Sequence, residues 1–536
     1  MTPLRAALPA DSSAGWVLLL PAPSPNTRVL CVEVNEARNA ESLAYWHEHV
    51  TALTRIGAVS VQTEFTAGVA ARESRGDGRP DPRLPFEPLP FDDGSFDLVV
   101  CRFIGGTGVP AGLSLPALIG ECARVARASA SIYLDLPNPT SYQRFGALLR
   151  GRRTDAARPA SDAPAARALR ARGFDVHRQA FTTERGAIAD MLPQSGYRPT
   201  RNSWSRSERV KSLLLSRHTA GIFAGAFGLV ARRGAWQPNI LSAFGAREFD
   251  SCFVNPGKSF VQFGASMFVV PADAAVVARR RREVRALDLL ARSGLAVARL
   301  VPRLAREIEL AGRPAFEYEA IVGATIDAPT EDFAALIRRA YQLLVSFGQE
   351  SCRLLTVADA EFDLIVGAAL DSAKRWYPAH AETFERLRAR FRGLLHGCEI
   401  PVVWLHGDYK LENLIIAAHD RSVRAVIDWE LGVPVGLPLC DLFYLLIYQR
   451  ITTGDAADVL ECVQHPLFDD QWSATEKEML SNYVESLRVP AALQPIAAAV
   501  FVIHHVGLRY RYDPGSAALP AALAQVEARL QQAVRP

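Results

Sequence analysis

The stretch that constrains this chain most is "VVWLHGDYKLENLII", residues 402–416, with "RAVIDWE", residues 424–430, shortly after it. Short apolar runs rich in Val and Ile read as buried strands. The polar residues between them are therefore held at one end of a strand–loop–strand unit. That loop carries His406, Asp408 and Asn413, and the second strand ends in Asp428. A small hairpin of this kind brings Asp428 to the same end as the loop, so an imidazole, two carboxylates and a carboxamide converge.

The rest of the chain must supply more than one core, because 536 residues exceed what a single core organises. Hydrophobic residues at 49 % and charged residues at 22 % are a globular composition. Lys+Arg number 60 against 57 for Asp+Glu, a net charge of +3. That balance argues for neither a nucleic-acid partner nor an anionic membrane surface. Arg outweighs Lys and Ala abounds, which reads as a GC-rich bacterial coding sequence. Eight Cys at 31, 101, 122, 252, 352, 398, 440 and 462 include no C-x-x-C pair. They read as small buried residues of a reducing cytoplasm rather than as a zinc or redox site. The early run "GWVLLLP" is too short and too Pro-flanked for a signal peptide, and no run of eighteen apolar residues predicts a membrane span.

Along the N-terminal half, strands are expected at 28–34, 58–65, 95–101 and 130–137, with helices at 39–55 and 115–128. Residues 71–90, rich in Gly and Pro, and 151–166 read as loops. Strands alternating with helices argue for a parallel sheet with crossover connections. "GFDVHRQAF" and "IFAGAFGLVARR" read as a final strand pair. Around residue 235 the pattern restarts, with short strands at "SFVQF" and "MFVVP", a helix over 274–293 containing Glu283, and a strand at "FEYEAIV". After Gly323 the pattern is mostly helical apart from the opening stretch and "RAVIDWE". No internal repeat is visible.

His406-x-Asp408-x-x-x-x-Asn413 has the spacing of a kinase catalytic loop. Phosphoryl transfer needs one carboxylate near the acceptor hydroxyl and oxygen ligands for Mg²⁺. Asp408 suits the first role, and Asn413 and Asp428 suit the second. With its H-G-D-x-x-x-x-N and I-D-W-E sequences and a later Asp441 in "GLPLCDL", the region from about 236 to 536 resembles the aminoglycoside phosphotransferase and choline kinase family. The resemblance implies a bilobal protein-kinase-like (α+β) fold, ATP and Mg²⁺ as cofactors, and a small-molecule hydroxyl as acceptor. It implies His406 and Asp408 as catalytic residues and Asn413 and Asp428 as metal ligands.

The family also implies a Lys on the strand before the helix that carries Glu283, where Val269 and Val270 stand instead. Lys258, on the preceding strand, is the nearest candidate to hold the ATP phosphates and pair with Glu283. Arg279 to Arg282 are a second source of positive charge, though a run of Arg on a helix reads first as a solvated face. The backbone from Glu319 to Val322 sits where the family meets the adenine. "HPLFDDQWS", residues 465–473, mixes acids with aromatics and could line an acceptor site.

In the N-terminal half, "LPFDDGSFDLVV" followed by Glu121, Arg124 and Val125 in "LIGECARVARASASIYLDLPNP" resembles the later part of a class I adenosylmethionine-dependent methyltransferase. That family runs its first strand into G-x-G-x-G, because a nucleoside cofactor comes close only where no Cβ intervenes. Here the three positions hold Glu33, Asn35 and Ala37. The expectation is a methyltransferase fold kept and its adenosylmethionine site lost. His47 and His49 in "YWHEHV" read as surface residues.

The expected architecture is thus α/β, with a Rossmann-like methyltransferase fold over 1–235, a kinase-like N-lobe over 236–322 and a C-lobe over 323–536. The expected function is an ATP- and Mg²⁺-dependent phosphotransferase of the cytoplasm acting on a sugar, aminoglycoside or amino alcohol. The alternatives are a pseudokinase joined to a pseudo-methyltransferase as a scaffold, and an active methyltransferase.

Overall fold

The computed structural model describes residues 15–24, 26–33, 43–56, 59–66, 69–75, 88–103, 114–138, 140–141, 162–181, 191–192, 213–216, 219–235, 238–245, 249–255, 257–326, 329–417, 419–509 and 517–536. Two compact units emerge. One draws on residues up to 199, 204–278 and 304–320, and the other on 279–303 and 321–536. The strands of 251–319 thus group with the N-terminal part of the chain.

The first unit is built on an eight-stranded sheet, β1 (Arg28–Glu33), β2 (His49–Ile56), β3 (Val59–Thr66), β4 (Val69–Arg75), β5 (Phe96–Arg102), β6 (Ala126–Pro137), β7 (Asp175–Phe181) and β8 (Ala226–Arg232). The spatial order is β4-β3-β2-β1-β5-β6-β8-β7. β2, β1, β5 and β6 are parallel, with Val29 beside Val50 and Leu98 and with Val100 beside Tyr133. β8 runs antiparallel to both β6 and β7, the expected closing pair. A parallel strand is covered on both faces, which is why β1 and β5 read as unbroken apolar runs. Leu30, Val32, Val99 and Cys101 pack with α1 (Leu115–Val125) and α2 (Asp162–Arg170). Val29, Cys31, Leu98 and Val100 face a second core with Trp16 and Trp46.

That second core also takes in Val261, Phe268, Val270, Leu310 and Ala315. These come from a five-stranded antiparallel sheet, β9 (Ser251–Asn255), β10 (Lys258–Phe263), β11 (Ser266–Pro271), β12 (Leu304–Leu310) and β13 (Arg313–Glu319), in the order β12-β13-β11-β10-β9.

Three sequence expectations need correction here. The helix expected over 39–55 is described only at 43–46, and 49–56 is β2. "HVTALTRI" is rich in β-branched residues, and β1 offers it a parallel partner. The loop expected over 71–90 begins as β4, which pairs with β3; residues 76–87 lie outside the described residues. In the loop expected over 151–166, α2 starts at Asp162, and 151–161 lie outside the described residues. Asn35 and Ala37 of the would-be cofactor loop lie outside them too.

His47, expected at the surface, is 1 % exposed, and neither ring nitrogen has a partner among the described residues. Burial and the charge of Arg313 hold its pKa down at about 4.

The second unit is mainly helical. The helix α3 (Ala274–Arg292) contributes its residues from 279 onward. It is followed by α4 (Phe333–Ser351), α5 (Ala368–Trp376), α6 (Ala381–Leu395), α7 (Cys440–Thr453), α8 (Ala474–Leu487), α9 (Leu493–His504) and α10 (Ala518–Gln532). In α9, Ile496 to His504 are all buried, so this helix is core all round rather than amphipathic. β14 (Arg353–Thr356) lies between α4 and α5, and between α6 and α7 lie β15 (Glu399–Leu405), β16 (Leu414–Ile416), β17 (Val423–Val426) and β18 (Val433–Gly436). β16 and β17 form the expected hairpin. No described helix is long and apolar enough to cross a membrane.

A neutral, unpartnered imidazole in a core costs about 1–3 kcal/mol. Replacing it with an apolar side chain should stabilise the protein, so His47→Leu should raise the thermal midpoint at pH 7.5. Its folded pKa lies below the ordinary 6.5, so its share of stability is present above 6.5 and lost as pH falls through about 4. That share is about 3 kcal/mol, and His47→Leu should remove it from the acid limb in urea titrations at pH 7.5 and 4.

Candidate phosphoryl-transfer site

β15 delivers the chain to the loop, and its last turn is fixed by a buried carboxylate. Asp441, in the first turn of α7, accepts the backbone N–H of His406 at 2.6 Å and of Gly407 at 2.9 Å. Gly407 has φ +80°, and a Cβ there would meet the Leu431 carbonyl oxygen at 2.7 Å, so only glycine fits. Asp441 is 1 % exposed. Burial raises its pKa to about 6, against the pull of His406 and of the two backbone N–H groups.

The His406 ring is fully buried against Trp429, with centroids 4.6 Å apart. Its Nδ1 accepts the Asp408 N–H at 3.2 Å, so its Nε2–H donates to the Ile427 carbonyl at 2.8 Å. With both nitrogens on backbone, His406 ties the loop to the strand that ends in Asp428 and is a positioning residue. Ile427 N–H in turn donates to the Asn413 carbonyl at 2.9 Å.

Asp408 is 2 % exposed, and its two oxygens differ. Oδ2 accepts from Asn413 Nδ2 at 3.0 Å and from Arg509 Nη2 at 2.9 Å, with Lys410 Nζ at 3.5 Å. Oδ1 is buried and has no hydrogen-bond partner among the described residues. Asn413 Nδ2 also donates to the Asp408 carbonyl at 2.8 Å, so the amide is oriented by its nitrogen and its Oδ1 is the acceptor end. Lys410 pairs with Glu412 at 3.1 Å and lies 4.2 Å from the centre of the Tyr448 ring.

Asp428 sits at φ +68°, ψ +50°, a left-handed conformation uncommon outside Gly, Asn and Asp. Its Oδ1 accepts from Arg280 Nη2 at 2.8 Å, and the same nitrogen reaches Glu430 Oε2 at 2.7 Å. Arg280 Nη1 pairs with Glu283. Glu283 Oε1 also accepts the Trp429 N–H at 3.2 Å. Burial pulls the Arg280 pKa down, but the three carboxylates outweigh it and the net shift is upward.

The structure thus brings His406, Asp408, Asn413 and Asp428 to one end of the hairpin. Glu283 joins the same network through Trp429 and Arg280. Lys258, at the start of β10, lies 5.6 Å from the centre of the Phe260 ring. Glu319 ends β13, and Val322 is 89 % exposed. In 465–473, Trp472 stacks on Phe443 and Ser473 caps α8. Sequence reasoning did not single out Lys410, Glu430 or Arg509. Arg280 was legible from phase: it falls at helical spacing with Val276, Glu283, Leu287 and Leu290, all buried, while Arg279, Arg281 and Arg282 are exposed. Arg509 carries no local signal.

The donor set fits Mg²⁺. One carboxylate and one carboxamide oxygen are hard ligands, and Mg²⁺ is usually held by one or two carboxylates plus substrate phosphates. Among the described residues, no cluster of His, Cys, Asp and Glu forms an all-protein metal cage.

Residues 247–472 match the phosphotransferase enzyme family known as APH, less than half of the 536-residue chain. No curated protein matches the chain. Among solved structures, the aminoglycoside phosphotransferase APH(3'')-Id from Streptomyces rimosus, in complex with ADP and streptomycin, is similar at 16% identity over 51% of this chain and 96% of its own, with a TM-score of 0.33. A choline/ethanolamine kinase family protein from Mesorhizobium loti is similar at 15% identity over 52% of this chain and 86% of its own, TM-score 0.30. A SAM dependent methyltransferase from Archaeoglobus fulgidus is similar at 18% identity over 27% of this chain and 62% of its own, TM-score 0.18. Likenesses this distant carry nothing about substrate. The C-terminal part of the chain resembles the phosphotransferase family and has its protein-kinase-like fold, and the family match supports a small-molecule phosphotransferase.

Asp441 holds the loop in its ionised form, so phosphotransfer should fall on the acid side with a midpoint near its pKa of about 6. In Asp441→Asn one backbone N–H faces an amide N–H, costing about 1–3 kcal/mol. Rate profiles over pH 5–8 should then show lower activity throughout and no titration near 6.

Proposed function

We propose that the chain is an ATP- and Mg²⁺-dependent phosphotransferase acting on a hydroxyl of a small molecule. The observation that carries this reading is the asymmetry of Asp408. Asn413 and Arg509 fix one oxygen, while the other is buried, unpartnered and free to accept a hydroxyl proton. A buried acceptor without a donor is costly, and such strain is a mark of function when the missing donor is the substrate.

Asp408 would orient the acceptor hydroxyl and take its proton as the phosphoryl group leaves ATP. Asn413 and Asp428 would hold the Mg²⁺, which would neutralise charge on the ATP phosphates. Arg509, whose upward-shifted pKa keeps it cationic, would keep Asp408 in place; burial opposes that shift, and Asp408, Tyr448, Asp428 and Glu430 together outweigh it. By sequence order, Lys258, Glu283 and the backbone from Glu319 to Val322 are the candidates for contact with the nucleotide. The sequence limits proposed for the kinase-like lobes remain 236–322 and 323–536.

A sugar, aminoglycoside or amino alcohol fits the acceptor role. A shallow depression near the base is lined by Lys410, Glu412, Tyr448, Gln449 and Thr452, with Phe333 and Leu445. Its mixture of charge, hydroxyl and aromatic groups suits a polyhydroxylated compound.

Adenosylmethionine has no part in this reading. Ligands of open α/β sheets bind outside the carboxyl ends of the strands. At the end of β5, Arg102 is paired with Asp135 at 2.7 Å and covered by Trp16 at 4.7 Å.

The test is calorimetry of Mg²⁺-ATP with the wild type and Asp428→Ala, with adenosylmethionine titrated in parallel. Binding that needs Mg²⁺ and is lost in Asp428→Ala is the expected result. Equal binding by the variant, or none by the wild type, sinks the reading. With an acceptor found, Asp408→Asn should keep ATP affinity and lose roughly 10²–10⁴ in kcat.

A further inference from the structure

The strand that should carry a phosphate-binding lysine carries none. Val269 and Val270 of β11 are 3 % and 1 % exposed and belong to the apolar interior. Positive charge has to come from elsewhere, because ATP phosphates and a metal-binding carboxylate repel one another.

Arg280 answers this from the helix. It is 3 % exposed, on the buried stripe of α3, one turn before Glu283. Its guanidinium pairs with Glu283, Asp428 and Glu430, while its Nε is buried with no partner. Three carboxylates thus converge on this one guanidinium. Arg280 also hydrogen-bonds directly to Asp428, the carboxylate proposed to hold the metal.

We propose that Arg280 is the phosphate-binding cation of this phosphotransferase, carried on the helix in place of the strand lysine. The inference rests on the phosphotransferase reading. With Asp428 holding a metal, one Nη2 hydrogen of Arg280 would be released. Glu283 and Glu430 continue to hold the guanidinium, and the released donor takes a phosphate oxygen. A planar fork fixed by two carboxylates is well suited to this, since little conformational freedom remains to be lost. Until nucleotide and metal arrive, the same contact neutralises Asp428.

The experiment is ADP and ATP titration by calorimetry, with and without Mg²⁺, on the full chain as wild type, Arg280→Gln, Arg280→Lys, Lys258→Met and the exposed-site control Arg279→Met. Each variant is first checked by circular dichroism and thermal melting. Arg280→Gln should lose about tenfold or more in nucleotide affinity, and Arg280→Lys should recover part of it. Lys258→Met should lose less than Arg280→Gln, and Arg279→Met should bind like the wild type. A folded Arg280→Gln with unchanged affinity overturns the assignment, as does a larger loss in Lys258→Met. If Arg280→Gln does not fold, Arg280→Lys decides: a several-fold loss, from a charge kept and a fork removed, supports the assignment, and wild-type affinity overturns it. Failure of the wild type to bind either nucleotide overturns the phosphotransferase reading itself and the assignment with it.

Discussion

Two backbone N–H groups, of His406 and Gly407, point at the single buried carboxylate of Asp441, and the catalytic loop takes its shape from that contact. It holds the left-handed turn at Gly407, packed against the Leu431 backbone. The turn sets the His406 ring between the Asp408 N–H and the Ile427 carbonyl, and so ties the loop to the strand that ends at Asp428. A carboxylate buried this deeply pays in lost hydration, which is why its pKa rises to about 6. The cost is tolerable because two N–H donors are satisfied by it.

Charge in the site is arranged as two clamps. Arg509 holds Asp408, and Arg280 holds Asp428 with Glu283 and Glu430. Buried ions persist only when paired and hydrogen-bonded, because desolvation costs several kcal/mol per ion. The clamps differ in what they leave open. The Asp408 clamp leaves one oxygen without a donor among the described residues, and the Arg280 clamp gathers three carboxylates on one guanidinium.

The N-terminal half is held together by packing on both faces of its sheet. Its parallel strands and closing antiparallel pair are intact, and both faces of β1 and β5 are packed. One face is covered by helices and the other shares its core with the five-stranded sheet of 251–319, so the apolar pattern of these strands is demanded by packing alone. Arg102, Asp135, Tyr133 and Trp16 close on one another at the carboxyl ends of β5 and β6.

Much of this was legible from the sequence. The periods of β1, β5, α1 and α3 and the spacing of His406, Asp408, Asn413 and Asp428 are local properties, set by runs of a few residues. What the sequence left open involves residues far apart in the chain. "HVTALTRI" continued a helical pattern until a parallel neighbour, β1, made it a strand. His47 looked solvated until the first unit's core closed over it. Arg280 looked like one of four exposed arginines, although its helical phase matched Glu283. What gives it a role is Asp428, 148 residues away. Arg509 reaches Asp408 from about a hundred residues downstream with no motif around it. A sequence determines its own periodicity and turns because these depend on neighbours in the chain. Which charge pairs with which is decided only by the tertiary structure, since burying an ion demands a partner and the fold alone determines which one is within reach.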